Sequence, residues 1–69
     1  MWVVVEYSFI SDEWRFCGSG ITYKIKEARL YRDRKDAMSY TLNHRYTIEK
    51  DSDYYLVALP AVLAIFLIP

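Results

Sequence analysis

The sequence has few of the residues on which most catalytic and metal sites depend. It contains one cysteine and one histidine, Cys17 and His44, so an intrachain disulfide is excluded and no second soft ligand lies at zinc-site spacing. The Gly-Ser-Gly stretch at 18–20 lacks the lysine and helix of a phosphate-binding loop. We therefore expect no catalytic residues, no metal and no cofactor, and we interpret the chain as a non-enzyme.

An excess of charge of either sign is also missing. Nine basic and nine acidic residues give a formal net charge of zero, which offers no general attraction to nucleic acid or to an anionic membrane. The N-terminus has no basic region typical of a secretory signal, and a single cysteine suits a reducing compartment. We expect a cytoplasmic location, in the host cell if the chain is encoded by a phage.

What the sequence does have is apolar bulk. It is 54% hydrophobic and 17% aromatic, with only two glycines and two prolines in 69 residues, a composition that argues against disorder. Large rings bury much area per residue, which a chain of this size needs to offset the entropy of folding. We predict a single domain over residues 1–69, with 61–69 as an apolar extension.

Apolar and polar residues alternate through the first third of the chain. Residues 2–9 place Val3, Val5, Tyr7 and Phe9 on one side, as in a strand. Residues 14–17 continue as a short second strand, and residues 21–25 predict a third with one solvated face. Residues 26–31 are ambiguous between strand and helix, and we favour one tight turn followed by a short extended segment.

One helix is predicted in the middle of the chain. Asp33 is its expected N-cap, with the carboxylate accepting a hydrogen bond from the N–H of Asp36. We expect the helix to begin at about Arg34 and to end at about His44, where Asn43 and two basic residues suit a C-terminus. Its apolar stripe is predicted to contain Ala37, Tyr40, Thr41 and His44, widened by Met38 and Leu42.

The remaining chain predicts one more strong strand. Residues 46–49 are a candidate short strand, 50–53 a polar turn, and 54–59 a strand that is apolar on both sides, as a central or oligomer-buried strand would be. Pro60 ends that strand or places it at an edge. Periodicity leaves residues 61–68 open between strand and helix. The fold class we predict is α+β, with three to four antiparallel strands and one helix packed on one face.

Residues 54–69 carry no charged side chain. As a helix, 54–68 would span roughly 22 Å against the ~30 Å of a bilayer core, and Pro60 interrupts it, so we disfavour a membrane role and keep it as an alternative. A small domain has little surface with which to cover both sides of such a segment. We therefore expect it to contact a second copy or another protein, as a homo-oligomer or a hetero-complex.

A second candidate surface is basic and aromatic. Tyrosines at 23 and 31 alternate with basic residues that could follow a phosphate backbone while the rings stack on bases. Acidic residues at 27, 33 and 36 lie in the same window and reduce its charge, so nucleic-acid binding is our alternative reading. An arginine-rich rim of a protein interface is an equal explanation. The basic residues are Lys24, Lys26, Arg29, Arg32, Arg34 and Lys35.

We predict that aromatic and arginine side chains that stay exposed are the partner-binding anchors, because such residues dominate interface energetics. These candidates are Trp2, Trp14, Arg29, Arg32 and Tyr55.

Residues 25–37, IKEARLYRDRKDA, place an alanine three residues before an aromatic, then a polar cap and a short helix with a further alanine. Together with the strands around it, this segment resembles small phage-encoded α+β proteins, among them anti-CRISPR and other anti-host inhibitors. The likeness covers residues 2–59 in layout and implies a binder of a host protein or complex. The apolar extension departs from the acidic, DNA-mimicking surface of many such inhibitors, so it implies steric blocking by protein contact.

Overall fold

The computed structural model describes residues 1–51 and 54–68, with the side chains of 1–43 and 54–68. These residues form strands, two helices and one short 3-10 helix. In chain order they are β1 (Trp2–Ser8), β2 (Glu13–Cys17), β3 (Ile21–Thr22), the 3-10 helix (Ile25–Glu27), α1 (Arg34–Asp51), β4 (Tyr54–Pro60) and α2 (Ala61–Ala64).

The strands form one antiparallel sheet in the order β3-β2-β1-β4. β1 lies inside the sheet, with Val5 opposite Phe16 of β2 on one side and Val57 of β4 on the other. Its β-branched and aromatic residues suit this buried position. The predicted α+β class, with one main helix on an antiparallel sheet, is confirmed.

The alternation of β1 gives the sheet two different faces. On the first, which we call the α1 face, Val4 and Cys17 pack against Ala37 of α1. Leu56 and Ala58 of β4 extend this cluster. α1 thus covers one apolar side of the sheet with Ala37 and Tyr40 of the predicted stripe. The side chain of His44, predicted for the same stripe, lies outside the described part.

The second face, which we call the tail face, is covered by residues 61–68, which we call the tail. Val3, Val5 and Phe16 form its centre, and Ala64 and Ile68 of the tail are buried against them. The chain returns over the sheet directly after Pro60, where the N–H of Ala61 donates to the carbonyl of Met1 at 2.9 Å. The question left open by periodicity is thereby decided: the tail begins with one turn of helix, α2, and ends in a turn.

The segment after β3 follows the predicted turn and extended stretch. The third strand is shorter than expected and ends at Thr22, because the chain turns into the 3-10 helix. Residues 28–31 then run beside the sheet through the bridges Gly18–Ala28 and Trp2–Tyr31. Gly18 is required there, since a Cβ would lie 2.1 Å from the carbonyl oxygen of Glu27.

Four predictions for the helix and the residues after it were wrong. α1 continues to Asp51, well past His44, because no glycine or proline stops it there and Asn is tolerated inside a helix. The short strand expected at 46–49 is therefore helical, and the polar turn expected at 50–53 begins inside the helix, its last two residues lying outside the described part. Met38 and Leu42 are exposed instead of widening the buried stripe.

Two end positions also differ from prediction. The N–H of Asp36 donates to the backbone carbonyl of Asp33 at 3.2 Å, not to its carboxylate. β1 ends at Ser8, because residues 9–12 form a turn in which Asp12 has a φ of 55°. Phe9 is consequently an exposed turn residue and not the end of a strand.

Candidate protein-interaction surface

The outer side of the tail is a run of apolar side chains that the structure leaves in solvent. Only two tail residues point fully into the sheet, Ala64 at 0% and Ile68 at 5% exposure. A short segment that covers a sheet has a second side of its own, and here that side is also apolar. The outward residues are Val62 at 66%, Leu63 at 54%, Ile65 at 44%, Phe66 at 80% and Leu67 at 40% exposure.

Aromatic side chains occupy the other end of the same face. The rings of Tyr7 and Trp14 are 4.9 Å apart, and Phe9 meets Tyr7 edge-on at 4.9 Å. Tyr55 lies opposite Tyr7 in the β1–β4 register and is 53% exposed. The tail face therefore carries exposed apolar groups from the tail and exposed aromatic groups from the sheet.

The predicted anchors divide between the two faces. Trp14 and Tyr55 belong to the tail face, whereas Trp2 packs with the cluster of the α1 face. Trp2 and Trp14 are half-buried and not exposed as expected, because each packs against a core cluster. Arg29 and Arg32 are exposed, as predicted.

The predicted basic residues are all exposed, on the segment from the end of β3 to the first turn of α1. Two of them stack on rings: the guanidinium of Arg29 lies 5.4 Å from the ring centre of Tyr31, and that of Arg34 lies 5.8 Å from that of Trp2. The bridge between Trp2 and Tyr31 brings these two pairs together. Acidic Glu27 is exposed in the same segment.

The α1 face contains buried polar chemistry that the sequence did not reveal. Glu6, 6% exposed, forms an ion pair with Arg15, its neighbour across β1 and β2. The guanidinium of Arg15 also lies 5.6 Å from the ring centre of Tyr54. Register could have suggested this pair, since Glu6 and Arg15 interrupt the apolar runs of two adjacent strands, but pairing is not visible in either strand alone.

The single cysteine is buried beside this ion pair. Burial, together with the carboxylate of Glu6, raises the pKa of the Cys17 thiol to about 12. A thiol with such a pKa is not ionised at neutral pH and is a poor nucleophile. The prediction that Cys17 acts as a small buried hydrophobe is confirmed by its 5% exposure.

The exposed carboxylates near the turns bind tyrosine hydroxyls. Tyr7 donates to Asp12, and Tyr23 donates to Glu13 at 2.6 Å. These hydrogen bonds raise the pKa of both phenols, so each pair favours the protonated tyrosine and serves to hold a turn.

A shallow depression of about 140 Å³ is lined by residues 19–22 and Glu27. Small-molecule sites usually occupy ~300–1,000 Å³, so this depression is too small for most substrates. In the part of the chain that the structure describes, no three His, Cys, Asp or Glu side chains gather where a metal ion could bind.

Among the described residues no helix has the length and apolar character needed to cross a membrane.

Sequence reasoning predicts that the tail is a contact segment but does not say which of its residues face outward. A fully apolar run has no polar side from which to read its orientation. The only sequence signal was Pro60, which marks where the chain leaves the sheet.

Comparisons of the chain with family models, with characterised proteins and with solved structures found no match of any kind.

Proposed function

We propose that this protein is a non-catalytic interaction module that binds another protein through the outer side of its tail. The observation that carries this proposal is the exposure of Val62, Leu63 and Phe66 on a segment whose other side is already buried. Single exposed apolar residues are ordinary on a protein surface, but a contiguous apolar patch usually marks a contact site.

The extent of the patch fits such a role. Large apolar side chains present ~150–250 Å² each when fully exposed, so the five outward tail residues leave on the order of 500 Å² uncovered. That is at the upper end of the largest patch of a typical monomer. Exposed Tyr55 and the half-buried Trp14 add rings of the type that anchor interfaces.

The partner we propose is a protein or complex of the host cell, and the mode of action is steric blocking in the cytoplasm. Two features support this reading: the absence of charge from the patch and the likeness of residues 25–37 to small phage-encoded inhibitors. An uncharged apolar surface gains its affinity from burial against a matching surface. Arg29 and Arg32, exposed and positively charged, are proposed as polar contacts outside the patch.

The experiment is affinity capture from host lysate with matched variants. Phe66→Ser removes an outward tail residue that is 80% exposed, and Leu42→Ser makes the same kind of change at a residue of α1 that is 61% exposed. We expect the first variant to lose a protein that the parent chain captures in a saturable manner. The second variant should retain that protein, and circular dichroism should show that both are folded.

Equal capture by the parent chain and Phe66→Ser would contradict the proposal. Arg29→Ala and Arg32→Ala provide a second arm, in which we expect weaker binding of the same partner without unfolding. Unchanged affinity in both arginine variants would remove them from the proposed contact set while leaving the tail surface in place.

A second candidate function is nucleic-acid binding by the basic segment. It is favoured by the stacking of Arg29 on Tyr31 and of Arg34 on Trp2, since cations beside rings can contact phosphates and bases together. Binding to a single-stranded oligonucleotide that weakens steeply with salt would support it. Salt-insensitive or undetectable binding would exclude it.

A further inference from the structure

β4 is an edge strand, and its outward hydrogen-bonding groups can be identified from the ladder. Trp2 exchanges both backbone hydrogen bonds with Tyr31, at 2.7 and 2.8 Å. The N–H and C=O of Trp2 therefore point away from β4, so Trp2 and its partner Pro60 are a non-hydrogen-bonded pair. In an antiparallel ladder the two kinds of pair alternate. It follows that Leu56 and Ala58 also direct their backbone groups away from β1.

The same alternation identifies which residues of β4 hydrogen-bond to β1 and which direct their backbone groups outward. Leu59, Val57 and Tyr55 face Val3, Val5 and Tyr7 and supply the ladder bonds to β1. Tyr54, Leu56 and Ala58 present their N–H and C=O groups at the outer edge of the sheet. None of these outward groups has a partner in the part of the chain that the structure describes.

Apart from Pro60, the described residues give this edge none of the usual protection against strand pairing. Natural edge strands are short or bear lysine, an inward charge or a bulge. β4 is seven residues long, carries no charged residue and pairs with β1 without a bulge. Its one protective residue is Pro60, which stands at the very end and leaves the middle of the strand open.

We propose that β4 pairs with β4 of a second copy of this chain, antiparallel, across a two-fold axis at Leu56. In this register Leu56 faces its own copy, and Tyr54 faces Ala58 of the other protomer. Every outward N–H of these residues then meets a carbonyl. A register shifted by one pair would place Pro60, which has no N–H, opposite Tyr54 and would lose a hydrogen bond.

The side chains of β4 also favour pairing with a second copy of this strand. On the tail face, this register places Tyr55 directly across from Val57 of the second copy, twice by symmetry. Aromatic and β-branched residues are favourable cross-strand pairs, and the 53% exposed ring of Tyr55 gains a neighbour. Two uncharged strands, each from a chain of zero net charge, approach without repulsion.

The expected dimer is reversible. A single strand pair covers less than the ~800 Å² per partner of a standard interface, and small interfaces are typically weak. The prediction is thus a dimer whose population rises with concentration. It does not depend on the proposed function, which uses the outer side of the tail and a different protein.

The test is sedimentation of the purified chain over a wide concentration range, with two lysine variants. Tyr55→Lys places a charge beside the proposed axis, opposite Val57 of the second copy, and Phe66→Lys places the same charge on the tail. We expect at least a tenfold weaker dimer for Tyr55→Lys and no change for Phe66→Lys. Ala58→Pro removes an outward N–H without removing a ladder bond, and it should weaken the dimer similarly while circular dichroism stays unchanged.

Hydrogen exchange supplies a readout that does not depend on mutation. The amides of Leu56 and Ala58 should exchange quickly in the dilute monomer and slowly at high concentration, whereas the amide of Val57 should be protected in both. A monomer at every concentration, or a dimer that Phe66→Lys abolishes and Tyr55→Lys leaves intact, would overturn the proposal. Capture of a host protein plays no part in this test, so the two proposals fail separately.

Discussion

The two faces of the sheet are covered in different ways. On the α1 face, a helix of eighteen residues covers a cluster that includes Val4 and Ala37, with the buried pair of Glu6 and Arg15 on the same side. On the tail face, a short uncharged segment covers a purely apolar cluster with Ala64 and Ile68. The first cover presents polar groups to water at positions such as Lys35 and Ser39, and the second presents apolar ones.

This difference shows which cover of the sheet presents a polar surface to solvent and which presents an apolar one. A helix with one apolar stripe satisfies both the core and the solvent. A segment without polar residues can bury one of its sides against the core, but its other side then exposes apolar side chains to solvent. The interaction surface that we propose is therefore a consequence of how the tail face is closed.

The largest expected effect acts on both faces together. Gly18→Ala places a Cβ 2.1 Å from the carbonyl of Glu27 and forces the bridge to Ala28 apart, and that segment supplies Ala28 to one cluster and Tyr31 to the other. We expect a loss of about 3 kcal/mol or more in the free energy of unfolding. Denaturant unfolding measures it, with Gly20→Ala as the control, since a Cβ there meets nothing within 4 Å. Equal stability of the two variants would contradict the close approach at Gly18.

A comparable effect is expected from the buried ion pair of the α1 face. Glu6→Gln leaves the half-buried guanidinium of Arg15 without its counter-charge and should cost about 2–3 kcal/mol, less than for a fully buried pair. Replacing both, Glu6→Leu with Arg15→Met, should restore most of that stability, because apolar residues of similar volume remove the desolvation cost. Chemical denaturation of the single and double variants provides the measurement. A double variant less stable than Glu6→Gln would show that the pair itself stabilises the fold.

The two sides of the tail can be separated by matched truncations. Ile68→Ala should cost about 2–3 kcal/mol because it opens a cavity in the tail-face cluster. Phe66→Ala should change stability by less than about 0.5 kcal/mol, because that side chain is 80% exposed.

Tryptophan fluorescence can show which face Ile68→Ala disturbs. Trp14 packs on the tail-face cluster and Trp2 on the α1-face cluster. Ile68→Ala should alter the fluorescence of a Trp2→Phe variant, which retains only Trp14. It should leave that of a Trp14→Phe variant nearly unchanged. The reverse pattern would contradict the placement of the tail.

The smallest expected effect is a dependence of stability on pH that arises from Cys17 on the α1 face. Burial raises the pKa of Cys17 from 9.0 to about 12, so between these values the unfolded chain loses the thiol proton while the folded chain keeps it. The contribution of Cys17 to stability is therefore full below about pH 9 and is lost as pH rises towards 12. Cys17→Ala should flatten part of that decline in stability.

Thiol labelling tests the burial and protonation of Cys17 through the reactivity of its thiol. The folded chain should react with a disulfide reagent far more slowly than the denatured chain at pH 8, because the thiol is buried and protonated. Similar rates in both states would contradict the burial of Cys17. Four tyrosines contribute to the remaining decline in alkali: burial raises the pKa values of Tyr31 and Tyr40, and hydrogen bonds to carboxylates raise those of Tyr7 and Tyr23.

Much of the fold could be predicted where a residue pattern has one physical reading. The β-branched run Val3, Val4 and Val5 predicts a strand, and β1 lies there with residues of both of its sides buried. Asp33 correctly marked where α1 begins, and Pro60 where β4 ends. Such signals are local, because they follow from backbone geometry and from the spacing of side chains.

The errors lie where a local pattern has two readings. Asn43 permits a helix end but does not enforce one, and α1 continues past it. For β4 the choice stayed open, since apolar residues on both sides fit a central or an oligomer-buried strand, and only the structure places it at the edge of the sheet. The candidate site shares this difficulty, since the exposure of Phe66 depends on which side of the tail meets the sheet.

The sequence by itself determined that this is an α+β chain with an uncharged C-terminal segment. Those properties follow from composition and from local periodicity. Only the tertiary structure decided that the tail closes the second face of the sheet, that Glu6 meets Arg15, and that the edge of β4 stays open. The physical reason is that each of these depends on strand order and register, which are set by burial summed over the whole sheet and not by any one segment.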